Sequence, residues 1–522
     1  MSSEVFDAYD HKILTAEQVR AAIGERPRNQ KVIMCHGVFD VIHPGHLRHL
    51  IYAKSKADKL VVSLTADIHI SKGVYRPHVP QRLRAVNMAA YEVVDYVVID
   101  PNPTPIENIR AIKPDYFAKG YEYGDHGTIN PKTQEEIDEL QAYGGEVMFT
   151  PGDYVYSSSN FISMSPPDIK YEKLIMLLKS EAIGIPDLRQ TLGNLGGRSV
   201  HVVGDTIVDS LTQCAMIGGQ TKTPTISVLF EERKDYIGGA AIVAQHMRAA
   251  GAEVVFSTVL GDDELREFVE SGLEADGIVC NPHIDPLRPT TNKNAIVVAG
   301  YRMLKVDTLD NASIPTRIVE SLTEDIANTE ADAVVFADFR HGIFNRQTNQ
   351  ALVDSIPEGA LRVADSQVAS RWGNITEFQG FDLVTPNERE ARFALADQDS
   401  GIRPLASSLY DAAKCKNLIM KLGDKGVITH RSPDHEALES FFLVDSFVDD
   451  LKDAVGAGDA LLAYATLALL ASGSIAQATI LGSLAAACEC EYDGNIPVTT
   501  DAVSAKLDAI EQAIDLGGRS RT

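Results

Sequence analysis

Two short stretches of this chain hold residue types that could handle phosphate. In FDVIHPGH, residues 39–46, His43 and His46 stand three apart around Pro-Gly, directly after the apolar run KVIMCHGVF. In DAVGAGDA, residues 453–460, Gly456, Ala457 and Gly458 lead into Asp459 and a strongly apolar run. Both stretches fall where a helix is expected to start. A helix start offers unpaired backbone N–H groups and the positive end of its dipole, which favour an anion. Imidazoles at i and i+3 share one helical face and can donate to charge building on a phosphorus. Gly45 lets a phosphate or base approach the backbone. HxxH could also be half of a zinc site, but no third ligand follows at a sensible spacing; incidental surface histidines are the remaining reading. In the second stretch the glycines can aim successive N–H groups at a phosphoryl group in transfer. Asp459 could take a proton from an attacking hydroxyl, although a carboxylate in a first helical turn is also routine. The Walker pattern is absent and GxGxxG is not formed here. Asp40 could orient a histidine or cap its own turn.

The elements that must position these residues follow a βαβ rhythm. KVIMCHGVF, KLVVSLTA, YVVID, DYFAKG and GEVMFTP read as short buried strands. HLRHLIYAKSKA and PQRLRAVNMAAYEV read as helices between them. This predicts a doubly wound parallel α/β sheet that ends near Ile162, with the Pro-rich SMSPPD (163–168) as a linker. After the helical YEKLIMLLKSEA, a second α/β series runs through RSVHVVGD, EVVFSTVLGD, NAIVVAG, DAVVFADF, LRVADS, FDLVTPN and LIMKLGDKGVITH. Two helical stretches, ALLAYATLALLASGS and AQATILGSLAAACE, close it. Two α/β domains are expected, 1–165 and 170–522, with no internal repeat between them.

The whole chain narrows the function classes. Its 522 residues leave room for more than one domain, and 44% hydrophobic with 23% charged residues is ordinary for a globular protein. A net charge of −25 repels a nucleic-acid backbone, so general DNA or RNA binding is not expected. The six cysteines form no CxxC pair, and Cys488 and Cys490 fit two core positions of an alanine-rich helix. Reduced thiols and a cytoplasmic location are expected. The N-terminus lacks the basic and apolar regions of a signal peptide. ALLAYATLALLA (460–471) is too short to span a membrane and reads as a buried helix.

Around the first stretch, GVFDVIHPGHLRHLIYAK resembles the HxGH signature of the cytidylyltransferase-like nucleotidyltransferases. ISKGVYRPHVPQR (70–82), PDYFAKGYEY (114–123), GGEVMF and YSSSNFI (156–162) follow in that family's order. The resemblance covers nearly all of 31–162. It implies transfer of a nucleotidyl group from an NTP to a sugar 1-phosphate, with release of pyrophosphate and no covalent enzyme intermediate. His43 and His46 would stabilise the transition state, and Lys72 and Arg82 would clamp phosphates. Ser158 and Ser159, at a helix start, would hold the β/γ end. Gly37, Phe39 and Lys119 fall on further motif positions and would line the nucleotide site. ATP is the implied nucleotide, with CTP or GTP open.

The second domain resembles the ribokinase superfamily of sugar kinases across nearly its whole length. VVGDTIVD (202–209) places a sugar-contacting Asp209, and IGGAAIVAQHMRAAGAEV (237–254) places the substrate motif Gly238-Gly239. VLGDDE and RPTTNKNAIVVAG follow in order, LVTPNEREA supplies Asn387 and Glu390 to organise Mg²⁺ indirectly, and DAVGAGDA carries the catalytic Asp459. Within both families the nearest resemblance is to the bifunctional heptose-phosphate enzymes, whose kinase half phosphorylates the anomeric hydroxyl of a heptose 7-phosphate. There the kinase comes first; here the nucleotidyltransferase does. Other departures concern the substrate. Ile242 stands where an Asn is usual, Val455 where a Thr is usual, and ADSQV, with Ser366 and Gln367, where a lysine-bearing DPK is usual. The alternatives are a nucleotidyltransferase for another sugar or polyol phosphate, giving a CDP-type product, and a kinase-like domain that acts on another sugar or only binds one. A homodimer is expected, and His49 and His69 are expected at the surface. Trp372, in RWGN, could stack on a ligand or pack.

Overall fold

The computed structural model describes residues 8–42, 44–70, 76–120, 131–150, 170–217, 226–367, 374–435, 437, 439–492 and 494–519. The expected linker 163–168 and Trp372 lie outside them.

The first sheet is built from the five apolar runs read as strands: β1 (Val32–Gly37), β2 (Lys59–Thr65), β3 (Tyr96–Asp100), β4 (Tyr116–Gly120) and β5 (Glu146–Thr150). Its order is β3-β2-β1-β4-β5 and every pairing is parallel. Strands β1 and β2 are buried along most of their length because helices cover both faces. The strand order reverses between β1 and β4. In an open parallel sheet the ligand crevice lies at that point, outside the carboxyl ends of the strands.

Thirteen further strands among the described residues form two sheets. They are β6 (Ser199–Gly204), β7 (Thr206–Met216), β8 (Val228–Gly239), β9 (Glu253–Leu260), β10 (Val279–Ile284), β11 (Asn292–Val298), β12 (Tyr301–Thr308), β13 (Ala333–Asp338), β14 (Leu361–Ser366), β15 (Leu383–Val384), β16 (Asn417–Lys421), β17 (Val427–His430) and β18 (Phe441–Val444). The large sheet runs β10-β9-β6-β13-β14-β15-β16-β17-β18, parallel as far as β16 and antiparallel beyond. The small sheet runs β12-β11-β7-β8. NAIVVAG was expected in the parallel series, but it forms β11 of this small mixed sheet. Two of its strands escape a periodicity reading because they are not cores: β12 is exposed at every position and half of β8 is exposed. Polar runs such as FEERKDY read as loop when only burial marks a strand.

The helices Ala457–Ser472 and Ile475–Cys490 pack on one another and are buried almost all round. A helix apolar on every face is stable in water only in such a core. Cys488 and Cys490 are both buried, and all six cysteines are free thiols. No helix among the described residues is long and apolar enough to cross a membrane.

Candidate active sites

At the switch point of the first sheet, β1 ends at Gly37 and the chain turns through Phe39 and Asp40 into the helix Pro44–Lys54. Phe39 takes a left-handed φ of 48°. Its ring lies over Gly37, where an added Cβ would come within 3.0 Å of it. The ring then meets His46, centroid to centroid 5.2 Å. Gly37, Phe39 and His46 thus form one contiguous floor at the sheet end, with Gly45 next to His46 in the helix. His43, Lys72, Ser158 and Ser159 lie outside the described residues.

Lys119 reaches the same end from β4. Its ammonium group donates to Thr133 Oγ1 at 3.0 Å and pairs with the buried Glu136. Burial raises the Glu136 carboxyl and Lys119 opposes that rise. His36, the last side chain before Gly37, lies between Ser63 Oγ (2.9 Å) and Thr65 Oγ1 (3.2 Å). Burial, helped by the charge on Lys119, pushes its imidazole down to about 4, so the ring is neutral near pH 7. Its only sequence signal is a polar residue at the end of an apolar strand.

Asp40 Oδ1 accepts the backbone N–H of Val79 at 2.9 Å, which fastens the segment around Val79 to the site. Arg82 is paired with Asp10 near the surface. The deeply buried guanidinium is that of Arg84, two residues on. It donates to the carbonyls of Val79 (3.0 Å), Val38 and Thr65 (2.9 Å) and to Asp67 Oδ1 (2.6 Å). Arg84 therefore ties β2 and both loops of the site together. Its signal was a charge on the buried face of the helix Gln81–Ala89. His49 and His69 are half-buried rather than at the surface: His49 bonds Thr150 Oγ1 at 2.9 Å, and His69 donates to the Pro101 carbonyl at 2.6 Å.

In the second domain, the carboxyl ends of the strands and the small sheet enclose a set of acidic groups. Asp459 sits buried in the first turn of the helix Ala457–Ser472. Burial, together with Asp365, Asp209 and Glu489, drives its carboxyl well above the usual carboxylate range, while Lys421 opposes the rise. Asp209, on β7, is raised by burial and countered by Lys293 and Lys305 of the neighbouring strands. Gly238 makes room for it, and Gly239 lets the chain pass close to the end of β6. A Cβ on Gly238 would lie 2.4 Å from Asp209 Oδ2, and one on Gly239 (φ 63°) would lie 2.5 Å from the Asp205 carbonyl. Asn495 Nδ2 donates to Asp209 at 3.4 Å. A Cβ on Gly456 (φ 86°) would meet Glu489 Oε1 at 2.8 Å and Asn495 Oδ1 at 3.1 Å. The sugar motif and the GAGD turn are therefore adjacent, joined through Asn495.

Asn387 and Glu390 form a reciprocal capping box: the Asn side chain accepts from Glu390 N at 2.9 Å, and the Glu carboxylate accepts from Asn387 N and Nδ2, both 2.6 Å. That arrangement holds Glu390 buried beside Lys421. No cluster of three or more His, Cys, Asp or Glu able to cage a metal is found among the described residues. Asn387 and Glu390 are the pair that would face a Mg²⁺ ion brought in on nucleotide phosphates. Of the departures, Ile242 is fully buried in the helix Ala240–Ala249, and Val455 is exposed. Sequence reasoning missed Lys421, Glu489 and Asn495, and named Asp365 only as part of the ADSQV segment. Glu489 had a signal, a carboxylate in an otherwise apolar helix.

A three-layered α/β fold with a small side sheet and a GAGD turn facing a buried aspartate defines a sugar-kinase architecture. Residues 198–501, more than half of the chain, match the model of the pfkB family carbohydrate kinases. The chain belongs to that family. Residues 34–164 match the cytidylyltransferase-like model, so a nucleotidyltransferase-type domain precedes the kinase domain. Curated relatives called bifunctional protein HldE align with parts of it. The one from Bradyrhizobium sp. (strain ORS 278) is 27% identical over 334 residues, 62% of this chain and 65% of the relative. The one from Syntrophotalea carbinolica is 37% identical over 142 residues, 27% of this chain and 28% of the relative. That from Salmonella paratyphi B is 35% identical over 153 residues, 29% and 31%. The aligned part is thus less than two thirds of each relative's length. Among solved structures, the tetrameric inhibited form of phosphofructokinase-2 from Escherichia coli superposes with a TM-score of 0.50 at 16% identity, covering 60% of this chain and 99% of that one. The same enzyme in complex with substrates and products gives the same values. At that identity the likeness concerns the fold.

Proposed function

We propose that the chain is a bifunctional enzyme of sugar-nucleotide synthesis, divided at about residues 165–170. The C-terminal domain would move the γ-phosphoryl group of ATP to the anomeric hydroxyl of a sugar, with heptose 7-phosphate the first candidate. The N-terminal domain would join a sugar 1-phosphate to an NTP, giving an ADP-heptose-like product and pyrophosphate. The observation that carries this reading is the adjacency of Asp209, Asn495, Gly456 and Asp459. A sugar hydroxyl held by Asp209 would lie beside a carboxyl whose raised affinity for protons suits a general base. Backbone N–H groups of the GAGD turn would then face the phosphoryl group. Mg²⁺ carried by the nucleotide would neutralise phosphate charge. In the N-terminal domain, positioning and charge stabilisation suffice, with the acceptor phosphate attacking the α-phosphorus in line. His43, His46 and Lys72 would serve the transition state, with Lys119, Ser158 and Ser159 on the phosphates.

Ile242 favours a second reading for the kinase half. It is apolar and buried, so it offers no amide to a sugar hydroxyl, and a sugar other than heptose could be the acceptor. A homodimer through the small sheet is also proposed: Leu229, Phe230, Tyr301, Met303 and Leu304 leave an exposed apolar surface on it. Six free thiols support a reducing, cytoplasmic setting.

A phosphorus-NMR assay tests the main reading. ATP, Mg²⁺ and heptose 7-phosphate should give an anomeric phosphate. Heptose 1-phosphate with ATP, CTP or GTP in turn should give a pyrophosphate diester and free pyrophosphate. Turnover in the second tube alone would restrict the kinase to another sugar or to none.

A further inference from the structure

The kinase site carries an excess of negative charge. Asp459, Asp365 and Glu390 converge on it, and a triphosphate must enter beside them. The lysine that resemblance leads one to expect at position 367 is a glutamine. A different lysine, from a segment 54 residues further on, fills the gap. Lys421 is the last residue of β16, next to β15 in the sheet. Its ammonium group lies 3.1 Å from both carboxylate oxygens of Asp365. It runs directly under the GAGD turn: a Cβ on Gly458 would sit 3.2 Å from its Nζ. Burial works to lower its affinity for protons, but Asp365, Glu390 and Asp459 outweigh that and hold it charged.

We propose that Lys421 is the cation of the phosphoryl-transfer site, donating to the transferring phosphoryl group from beneath Gly458. The proposal rests on the kinase reading above. In the step, the bond between the γ-phosphorus and the β–γ bridging oxygen breaks. A bond from that phosphorus to the sugar oxygen forms, the hydroxyl proton passes to Asp459, and ADP leaves with the electron pair. Charge accumulates on the phosphoryl oxygens, and Lys421 is the ammonium group placed to meet it. The group is held by Asp365 before substrate arrives, so it needs no reorganisation.

The test uses the full chain and any sugar phosphate that the wild type phosphorylates from a panel. Lys421→Met should lower kcat by about 10²–10³-fold, while the inhibition constant of MgADP, which lacks the transferring group, stays within about twofold of wild type. The alkaline shift of the kcat–pH profile is a second readout, because Asp459 loses a neighbouring cation. Should Lys421→Met fold poorly, Lys421→Met/Asp365→Asn removes both buried charges and is read by kcat and the MgADP constant alone, because Asp365, which raises the Asp459 carboxyl, goes with Lys421. Gln367→Lys added to Lys421→Met should restore part of kcat. Unchanged kcat, or MgADP weakened in step with kcat, overturns the proposal. A wild type that phosphorylates no sugar sinks the kinase reading and the proposal with it.

Discussion

Gly238→Ala is the sharpest probe of the kinase site. The added Cβ would stand 2.4 Å from Asp209 Oδ2 and 3.1 Å from Asn495 Nδ2, whereas ordinary contact begins at 3.4 Å. The overlap of about 1 Å has to be relieved by moving the Asp209 carboxylate or β8, at about 1–3 kcal/mol of overpacking strain. The carboxylate is the softer of the two, because β8 is paired with β7 along its length. A sugar hydroxyl held by Asp209 then shifts by a similar distance from Asp459. A misplacement of about 1 Å costs on the order of 10²-fold in rate. The assay is sugar-dependent release of ADP, with nucleotidyl transfer followed in parallel on the same preparation. The expected result is a loss of about 10² in kcat/KM for the sugar, with KM for MgATP and nucleotidyl transfer unchanged. Gly193→Ala is the control, since nothing lies within 4 Å of its added Cβ. Full sugar kinase activity in Gly238→Ala would refute the placing of the sugar against Asp209. Loss of nucleotidyl transfer as well would refute the independence of the two sites.

Asp459→Asn should lower sugar phosphorylation by about 10²–10⁴-fold and spare nucleotidyl transfer. His46→Ala should do the reverse, by about 10²–10³-fold, in the same paired assay. Burial pushes Glu489 up to about 7, above its unfolded value, so its contribution to stability is complete at low pH and is lost as pH rises through about 7. Glu489→Gln should therefore leave stability unchanged at pH 4 and raise it by about 1–3 kcal/mol at pH 8, after allowance for solvent screening, in urea unfolding curves. Arg84→Met strands the buried Asp67 without its guanidinium and should destabilise the first domain by about 3–5 kcal/mol. Nucleotidyl transfer would then be lost at a lower urea concentration than in wild type, with the midpoint for kinase activity unmoved.

The sequence by itself carried everything that is local. HPGH and GAGD were legible because a helix start needs only a few consecutive residues to present backbone N–H groups, and the spacing of those residues is the geometry. The five strands of the first sheet were legible because burial on both faces leaves continuous apolar runs. Asn387 and Glu390 were legible as one motif for the same reason of adjacency, although not as the capping box they form.

The tertiary structure decided which distant charges meet. Lys421, Asp365 and Asp459 come from three segments and gather only because β14, β15 and β16 are neighbours beneath the GAGD turn. Arg84 reads as a surface charge until the loops at Val38 and Val79 close over it. Strands β8 and β12 of the small sheet were missed because they are wet and lack an apolar period. Coulomb interactions in a buried site depend on distance in space and on the exclusion of water. Sequence spacing records neither, so the motif could name the base at Asp459 but not the lysine that balances it.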